Sequence, residues 1–253
     1  MEYEEIVNKI ISEFEKITSK PCYEISFIEN SSPDILDDKI GGEPYLPEGE
    51  EYPKDDKGNN LGLLFQINLN QIDLENFPKN GILEIFTDTE NYYPPKYKIK
   101  YFKEGKKYQT KLPKIKRNEH ISQKSYKIKV KKTINYMSSE DFKYKEFIVK
   151  AAENVTGIKF KDYNELSKKY NDQVTIKAEQ MNKIRITMGG NPDFCQYDPR
   201  VELNGKNISL FKLDSMCQHD IRLGDAGILN VLISEDDLKK CNFDNCYLGW
   251  DCY

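Results

Sequence analysis

The sequence predicts an α+β fold that is mainly antiparallel β and contains an internally duplicated half-domain. Three observations favour this fold class. Short apolar runs alternate with Gly, Pro and Asn turns over much of the chain. Aromatic residues make up 12% of the 253 residues, a composition typical of strands. A series of motifs in the first half recurs in the second, with segments of helical period before and between the two copies.

The elements of the first half follow from apolar spacing. Residues 3–18 place apolar side chains at helical intervals and predict an N-terminal amphipathic helix that Pro21 ends. Residues 23–28, 61–69 and 81–86 are short apolar runs bounded by turn residues and predict strands. Residues 96–102 and 125–132 alternate Lys with apolar residues at period two, which predicts strands with a lysine face. Residues 103–106 read as a hairpin turn into 107–112.

The second half begins with helices. Residues 138–152 predict a helix that starts at Ser138, and residues 162–182 predict a second helix with Asp162 as its N-cap. Residues 183–188 predict a strand, and the turn-and-strand pattern then returns. Ser234 followed by three acidic residues predicts a short helix over 234–240.

The repeat consists of a turn and two strands written twice. GGEPYL at Gly41 corresponds to GGNPDF at Gly189, LFQIN to LFKLD, and GILEIF to GILNVL. The last residues of the middle motifs, Asn68 and Asp214, each stand 13 residues before the Gly that starts the third motif. We therefore expect one domain over residues 1–253. Repeat one spans about 39–135, a helical connection about 136–182 and repeat two about 183–253.

The net charge of −4 conceals an uneven distribution. Residues 91–135 contain 15 Lys and Arg residues against 2 acids, which leaves 23 basic and 40 acidic residues elsewhere. Interleaved Lys and Tyr in this segment are compatible with nucleic-acid binding. The period-two alternation favours the other interpretation, in which lysines cover the solvent face and protect edge strands. Both interpretations stay open at this point.

The sequence lacks the features that several classes of function require. No apolar run is long enough to span a membrane, and the acidic N-terminal residues differ from a secretory signal, so we expect a cytoplasmic protein without membrane association. Six cysteines without a CxxC spacing predict reduced thiols rather than disulfides or a zinc site. The common phosphate, dinucleotide, zinc-protease, serine-hydrolase and calcium motifs are absent. We expect no cofactor and no metal.

Polar residues in the second copy are the candidates for a binding site. The chain has only four arginines, and two of them, Arg200 and Arg222, fall in polar turns of repeat two. One interpretation is an internal network of Asp198 with Arg200 and Arg222 with Asp225. The other is a pocket formed by Gln196, Arg200, Asp214 and Asp225. The full set of ligand or partner candidates is Gln66, Asp193, Gln196, Asp198, Arg200, Asp214, Arg222, Asp225 and Trp250. No catalytic residue is assigned.

A family resemblance rests on seven motifs in order. They are IGGEPYLPEGEEYP, LLFQINL, FPKNGILEIF, MGGNPDFCQYDPR, LFKLDS, LGDAGILNVLI and YLGWDCY. From about Lys39 to Tyr253 the chain resembles the YwqG-like family, a bacterial domain of unknown function. The resemblance implies a mainly β, α+β single domain in cytoplasmic proteins and no established activity. By analogy with the contact-toxin loci beside which relatives are discussed, it also implies an immunity-type partner.

These observations favour a binding or interaction protein over an enzyme. The partner is expected to be a protein or a small molecule, and its identity and the oligomeric state are left open. Two alternatives remain: a hydrolase with an acidic site in repeat two, and a nucleic-acid-binding protein that uses residues 91–135.

Overall fold

The computed structural model describes residues 3–88, 95–103, 105, 107–115, 124–179, 184–217 and 219–252. This part of the chain contains five α-helices and ten strands. The helices are α1 (Tyr3–Thr18), α2 (Tyr144–Thr156), α3 (Tyr163–Lys169), α4 (Gln173–Glu179) and α5 (Glu235–Lys239). The strands are β1 (Lys20–Phe27), β2 (Lys39–Ile40), β3 (Gly62–Asn68), β4 (Ile82–Thr87), β5 (Tyr97–Phe102), β6 (Tyr126–Asn135), β7 (Ile186–Gly189), β8 (Ile208–Asp214), β9 (Gly227–Ile233) and β10 (Tyr247–Cys252).

All ten strands belong to one antiparallel sheet in the order β10-β9-β8-β7-β1-β6-β2-β3-β4-β5. The sheet curls until its two edge strands approach each other. The Tyr97 hydroxyl on β5 donates to the Cys246 carbonyl beside β10 at 2.8 Å, and the rings of Tyr101 and Phe243 lie 5.3 Å apart. The sheet is therefore nearly closed, and the α+β, mainly antiparallel fold class is confirmed.

The core inside the curled sheet draws on both halves of the chain. Phe65 of β3 and Phe211 of β8 stack with ring centroids 4.2 Å apart, and both side chains are fully buried. Apolar side chains from β1, β4, β6, β7, β9 and β10 complete the same cluster. Burial of this surface is the main favourable contribution to folding.

The helices form a second apolar cluster of their own. In it Phe14 of α1 packs edge-on against Tyr144 of α2 at 5.5 Å. The predicted N-terminal helix is confirmed, although Pro21 lies within β1 rather than in a terminating turn. Ser234 caps α5 as predicted, with its Oγ accepting from the Asp237 N–H.

Two helix boundaries differ from the sequence prediction. The helix predicted from Ser138 begins only at Tyr144, because residues 138–143 form turns in which Asp141 accepts from the Lys143 N–H. The helix predicted over 162–182 has the predicted Asp162 cap but is divided into α3 and α4. Asn171 and Asp172 adopt φ of 44° and 59°, which no continuous α-helix tolerates. Residues 180–183 lie outside the described residues.

The basic segment is also corrected in part. Residues 107–112 do not form the second strand of a hairpin with β5: Tyr108 bridges Pro47, and the Gln109 N–H donates to the Leu46 carbonyl. Glu104 and Lys106 of the predicted turn lie outside the described residues. β5 is an edge strand, whereas β6 lies between β1 and β2. Protection of a sheet edge therefore explains the lysine face of β5 but not that of β6.

The first diglycine turn lies against the backbone just before β6, and the second lies against side chains of β1 and β6. A Cβ on Gly41 would stand 2.8 Å from the Lys124 carbonyl oxygen, and one on Gly190 would stand 2.8 Å from Cys22 Cβ. All four glycines of the two turns have positive φ. β3 and β8 each carry a bulge just before the stacked Phe. Conformation and close approach together explain why both motifs begin with Gly-Gly.

No helix within the described ranges is long and apolar enough to cross a membrane.

Replacing Gly190 tests this packing requirement. Gly190 has φ +78°, and an added Cβ would collide with the Asn135 side chain and Cys22, so Gly190→Ala should lower the free energy of unfolding by about 3 kcal/mol. Gly205 has φ +70° with nothing within 4 Å of an added Cβ, so Gly205→Ala should cost only about 1 kcal/mol. Urea unfolding of both variants measures the difference. Equal losses would show that the close approach contributes nothing.

Candidate functional site

The second diglycine turn leads into a loop, residues 190–201, that covers the outer face of the sheet in the second half. We refer to it as the covering loop. The Asp251 carboxylate on β10 accepts from the backbone N–H groups of Cys195 and Gln196 at 3.0 and 2.8 Å. The Asn230 side chain on β9 donates to the Asp193 carbonyl at 2.7 Å. Two outward-facing side chains therefore fix the loop to the strands beneath it.

A hollow of about 130 Å³ opens between the covering loop and β10. We call it the aromatic hollow. Its lining includes the aromatic residues Phe194, Tyr197, Tyr247 and Trp250, the polar residues Gln196, Asn230 and Asp251, and Pro199 and Gly249. Two predicted candidates, Gln196 and Trp250, are thus brought together. Trp250 also packs against the main core, which matches an anchoring role for this ring.

The depth of the hollow depends on a glycine opposite an amide. Asn230 and Gly249 are direct partners in the β9–β10 pairing, so position 249 faces the same side as the Asn230 side chain. Gly249 has no side chain, and the Tyr247 ring of β10 lies in the space that a Cβ at position 249 would enter. Asn230 is only 2% exposed, and its Oδ1 has no hydrogen-bond partner among the described residues. A buried acceptor without a donor costs about 1–3 kcal/mol, which a bound donor would recover.

Several carboxylates lie near the covering loop. Burial raises the pKa of Glu140, and the charges of Glu179, Asp193 and Asp251 raise it further. Burial likewise raises the pKa of the Cys195 thiol to about 12, with Asp251 and Asp193 adding to the effect. Neighbouring carboxylates thus disfavour additional negative charge beside this loop.

On the other side of the covering loop lies a cleft of about 280 Å³ that Arg200 helps to line. The Arg200 guanidinium bonds Asp198 through Nε at 2.9 Å and Asp141 through a terminal nitrogen at 2.5 Å. All three side chains are at most 5% exposed. The ring of Phe142 lies 5.2 Å from the guanidinium carbon. Arg200 and Asp198 therefore form the internal network that the sequence suggested, with Asp141 as an additional member.

The other predicted residues lie apart from one another. Asp214 pairs with Arg185 at 2.6 Å and accepts from the Met216 N–H. Arg222 and Asp225 are exposed, and within the described ranges neither makes a side-chain hydrogen bond or ion pair, so the predicted pairing of these two is wrong. Gln196, Arg200, Asp214 and Asp225 do not converge on one pocket, because Gln196 lines the hollow, Arg200 lines the cleft, and the other two line neither.

Gln66 belongs to a buried polar row that sequence reasoning did not identify. Its side chain accepts from the Tyr45 N–H and donates to the Ile35 and Asp37 carbonyls, which fixes the segments before and after β2. The directly paired neighbours of Gln66 are Lys39 on β2 and Glu84 on β4. The corresponding row of the second half is Thr187, Lys212 and Asn230.

Charged members of these rows are buried. Lys39 donates to the Asp34 and Ile35 carbonyls at 2.7 and 2.8 Å, and burial lowers its pKa to about 8. Lys212 donates to the Ile184 carbonyl at 2.8 Å and stands 3.8 Å from Asp193. The sequence feature that could have indicated these rows is a polar residue at alternate positions in otherwise apolar strands. The same pattern is typical of a solvent-exposed face, so it does not show that loops cover these residues.

A further cavity of about 200 Å³ lies at the first diglycine turn, where Gly42, Leu63, Asp88 and Pro113 are among its lining residues. Asp88 accepts from the Lys96 N–H there. No group of three or more His, Cys, Asp or Glu side chains in the described ranges could hold a metal ion.

Residues 38–252 match the model of a domain of unknown function, DUF1963. The match covers most of the chain and includes both diglycine turns, the covering loop and the aromatic hollow. The protein therefore belongs to the DUF1963 family, in agreement with the YwqG-like resemblance of its motifs. No curated protein matches the chain.

Removing Arg200 should destabilise the fold. Arg200→Ala leaves two buried carboxylates without a cation, which is expected to cost about 3–5 kcal/mol. Arg222→Ala removes the same charge from an exposed position and should change the free energy of unfolding by less than about 0.5 kcal/mol. Urea unfolding measures both, and an Arg200→Ala protein as stable as the Arg222 variant would contradict a structural role.

Replacing Glu84 by its uncharged isostere should stabilise the protein in a pH-dependent way. Glu84 is fully buried, and burial raises its pKa well above the ordinary value, although the Tyr45 N–H and the Lys39 charge act in the opposite direction. A raised folded-state pKa gives stability that is present below the ordinary Glu pKa and is lost as pH rises through the folded-state value. Glu84→Gln avoids that loss.

We expect the Glu84→Gln protein to equal the parent in Tm at pH 4 and to exceed it by about 3 °C at pH 8. Thermal unfolding at the two pH values checks this. Glu50→Gln, at an exposed loop position, is the control and should shift Tm equally at both. A Glu84→Gln protein less stable than the parent at pH 8 would show that the carboxylate is a required hydrogen-bonding group.

Proposed function

We propose that this protein binds a partner without transforming it chemically, and that the aromatic hollow is the contact site. The observation that carries the proposal is the Asn230 amide oxygen, which is buried, has no partner among the described residues and lies at a hollow with aromatic walls. Concave sites with mostly apolar walls and a few fixed polar groups are typical of ligand recognition.

The carboxylates of the second half support binding over hydrolysis. Acid–base hydrolysis by paired carboxylates requires two carboxyl groups that face a common space. Asp198 is bonded to Arg200, Asp214 to Arg185, and Asp251 to backbone N–H groups of the covering loop. Asp225 is exposed and stands outside the hollow. Asp198, Asp214 and Asp251 are thus engaged in structural contacts, which favours binding over hydrolysis.

We propose more specifically that the partner is a protein, in an interaction of the immunity type, and that binding takes place in the bacterial cytoplasm. The free state of all six cysteines agrees with a reducing compartment. We also propose that the two halves derive from duplication of one unit. The equivalent diglycine turns, the equivalent bulges and the two buried polar rows support this origin.

Nucleic-acid binding through residues 91–135 stays a prediction. Several described lysines of this segment already have acidic neighbours: Lys127 pairs with Asp37 at 2.8 Å and Lys132 with Asp73 at 3.1 Å. Lys131 lies opposite Glu24 in the β1–β6 pairing. These contacts reduce the positive field that a phosphate backbone would meet.

The binding role can be tested by NMR with the 15N-labelled full chain and a fragment panel of cationic, anionic and neutral compounds. We expect at least one fragment class to shift the backbone amides of Gln196, Asn230 and Gly249. Gly249→Leu should abolish these shifts, because its side chain would occupy the hollow and displace the Tyr247 ring.

The matched control is Gly105→Leu, which adds the same side chain where nothing lies within 4 Å of an added Cβ. This variant should respond to fragments like the parent. If no fragment of any class shifts the amides around the hollow, the binding role is wrong. Turnover of a compound from a hydrolase substrate panel would contradict the non-catalytic part of the proposal.

A further inference from the structure

The chemical class of the ligand follows from the groups that line the aromatic hollow. This step rests on the binding role proposed above. The Asn230 Oδ1 at the buried end is an acceptor, and the Asp251 carboxylate at the rim is another acceptor. A ligand must therefore present donors to the interior. A phosphate or carboxylate would place acceptors against acceptors.

The aromatic rings of the hollow and the nearby carboxylates favour a hydrogen-bond donor with a positive charge. The rings of Tyr197 and Tyr247 offer faces that attract cations, and Tyr197 is 51% exposed. The Phe194 ring already has the Arg200 guanidinium carbon 5.5 Å from its centroid. The carboxylates of Glu140, Asp193 and Asp251 lie close enough to one another for Asp193 and Asp251 to raise the pKa of Glu140. Asp251 lines the hollow, and the other two carboxylates add negative charge beside it, which favours a cation.

The nearby cations of the chain do not bond the Asn230 acceptor. Lys212, which is paired with Asn230 across β8 and β9, donates to the Ile184 carbonyl and faces Asp193. Arg200 is bonded to Asp141 and Asp198 on the cleft side of the covering loop. The Asn230 acceptor is left without either of them.

We infer that the aromatic hollow binds a primary ammonium group on a short alkyl chain, such as the end of a lysine side chain. Its N–H groups would donate to Asn230 Oδ1, its charge would lie against the aromatic faces, and its methylene groups would contact Pro199 and the ring edges. A volume of about 130 Å³ suits a group of this size and is too small for a nucleotide.

The test compares n-butylammonium with two probes of the same shape, neutral n-butanol and anionic butyrate, in NMR titrations at constant ionic strength. We expect butylammonium to bind about tenfold more tightly than either. Tyr197→Leu keeps an apolar wall but removes the ring, and should weaken butylammonium about fivefold while leaving butanol unchanged. Because Tyr197 is largely exposed, this variant should fold.

Two substitutions that each remove one negative charge distinguish the effect of carboxylates near the hollow from the effect of net charge on butylammonium binding. Glu140→Gln should weaken butylammonium about threefold at low salt, because it removes a carboxylate close enough to Asp251 of the hollow for their charges to interact. Asp225→Asn removes the same charge at an exposed position outside the hollow and should have no measurable effect. Equal effects of the two substitutions would overturn a site-specific role of the field.

The source of the ammonium group is resolved by a second pair of probes, the peptide acetyl-Gly-Lys-Gly-amide and its Nε-acetyl-lysine form. Tighter binding of the lysine peptide than of butylammonium identifies a protein side chain as the source, and the reverse order identifies a free amine. If butanol, butyrate or the acetylated peptide binds as tightly as its cationic counterpart, the inferred ligand class is wrong while the binding role stands. If no probe shifts the hollow amides, both fail.

Discussion

The junction on which the structure depends is a reciprocal pair of hydrogen bonds between Asn135 and Asn191. Asn191 N–H donates to Asn135 Oδ1 at 2.8 Å, and Asn135 Nδ2 donates to the Asn191 carbonyl at 2.8 Å. The Asn191 side chain also donates to the Thr18 carbonyl at the end of α1. Both asparagines are buried, where such bonds are costly to leave unmade. One residue of the covering loop therefore connects the helical cluster, the end of β6 and the second diglycine turn.

The position of the covering loop follows from this junction. Gly190 allows the turn to approach β1, Asn191 fixes its start, and the Asp251 carboxylate fixes its middle. The loop then separates two recesses of different character. The cleft side contains the paired charges of Arg200, and the other side contains the aromatic hollow. Neither recess is formed by the sheet alone, so both depend on where the loop is held.

Much of the fold could be predicted from the sequence because local patterns determine it. Alternation in residues 96–102 and apolar runs such as 81–86 gave correct strands, and Asp162 and Ser234 gave correct caps. Errors arose where tertiary contacts override local preference. Ser138 looks like a cap, but the turn at Asp141 delays α2, and Asn171 with Asp172 divides a helix whose composition is continuous.

The site was less predictable because it depends on register. Gln196 and Trp250 were identified, whereas Asn230, Tyr197 and Tyr247 were not. Nothing in the linear sequence shows that Gly249 lies opposite Asn230, or that the Tyr247 ring lies over this glycine. In the same way, Arg200 was correctly paired with Asp198, but Asp141 comes from a distant segment that spacing cannot reveal. Contacts between residues close in the sequence could be predicted, whereas contacts between distant segments could not.

The pairing of β1 with β6 has a consequence for the kinetics of folding. These two central strands make contact along nearly all of β6, with Lys20 opposite Asn135, although β2–β5 lie between them in the chain. The loop that must close before they meet is therefore long, and its closure costs chain entropy before the β1–β6 contacts form. We expect this pairing to form late in folding. Until it does, β2–β5 expose apolar surface that only the partner half will cover, which makes the newly synthesised chain dependent on rapid arrival of its C-terminal half.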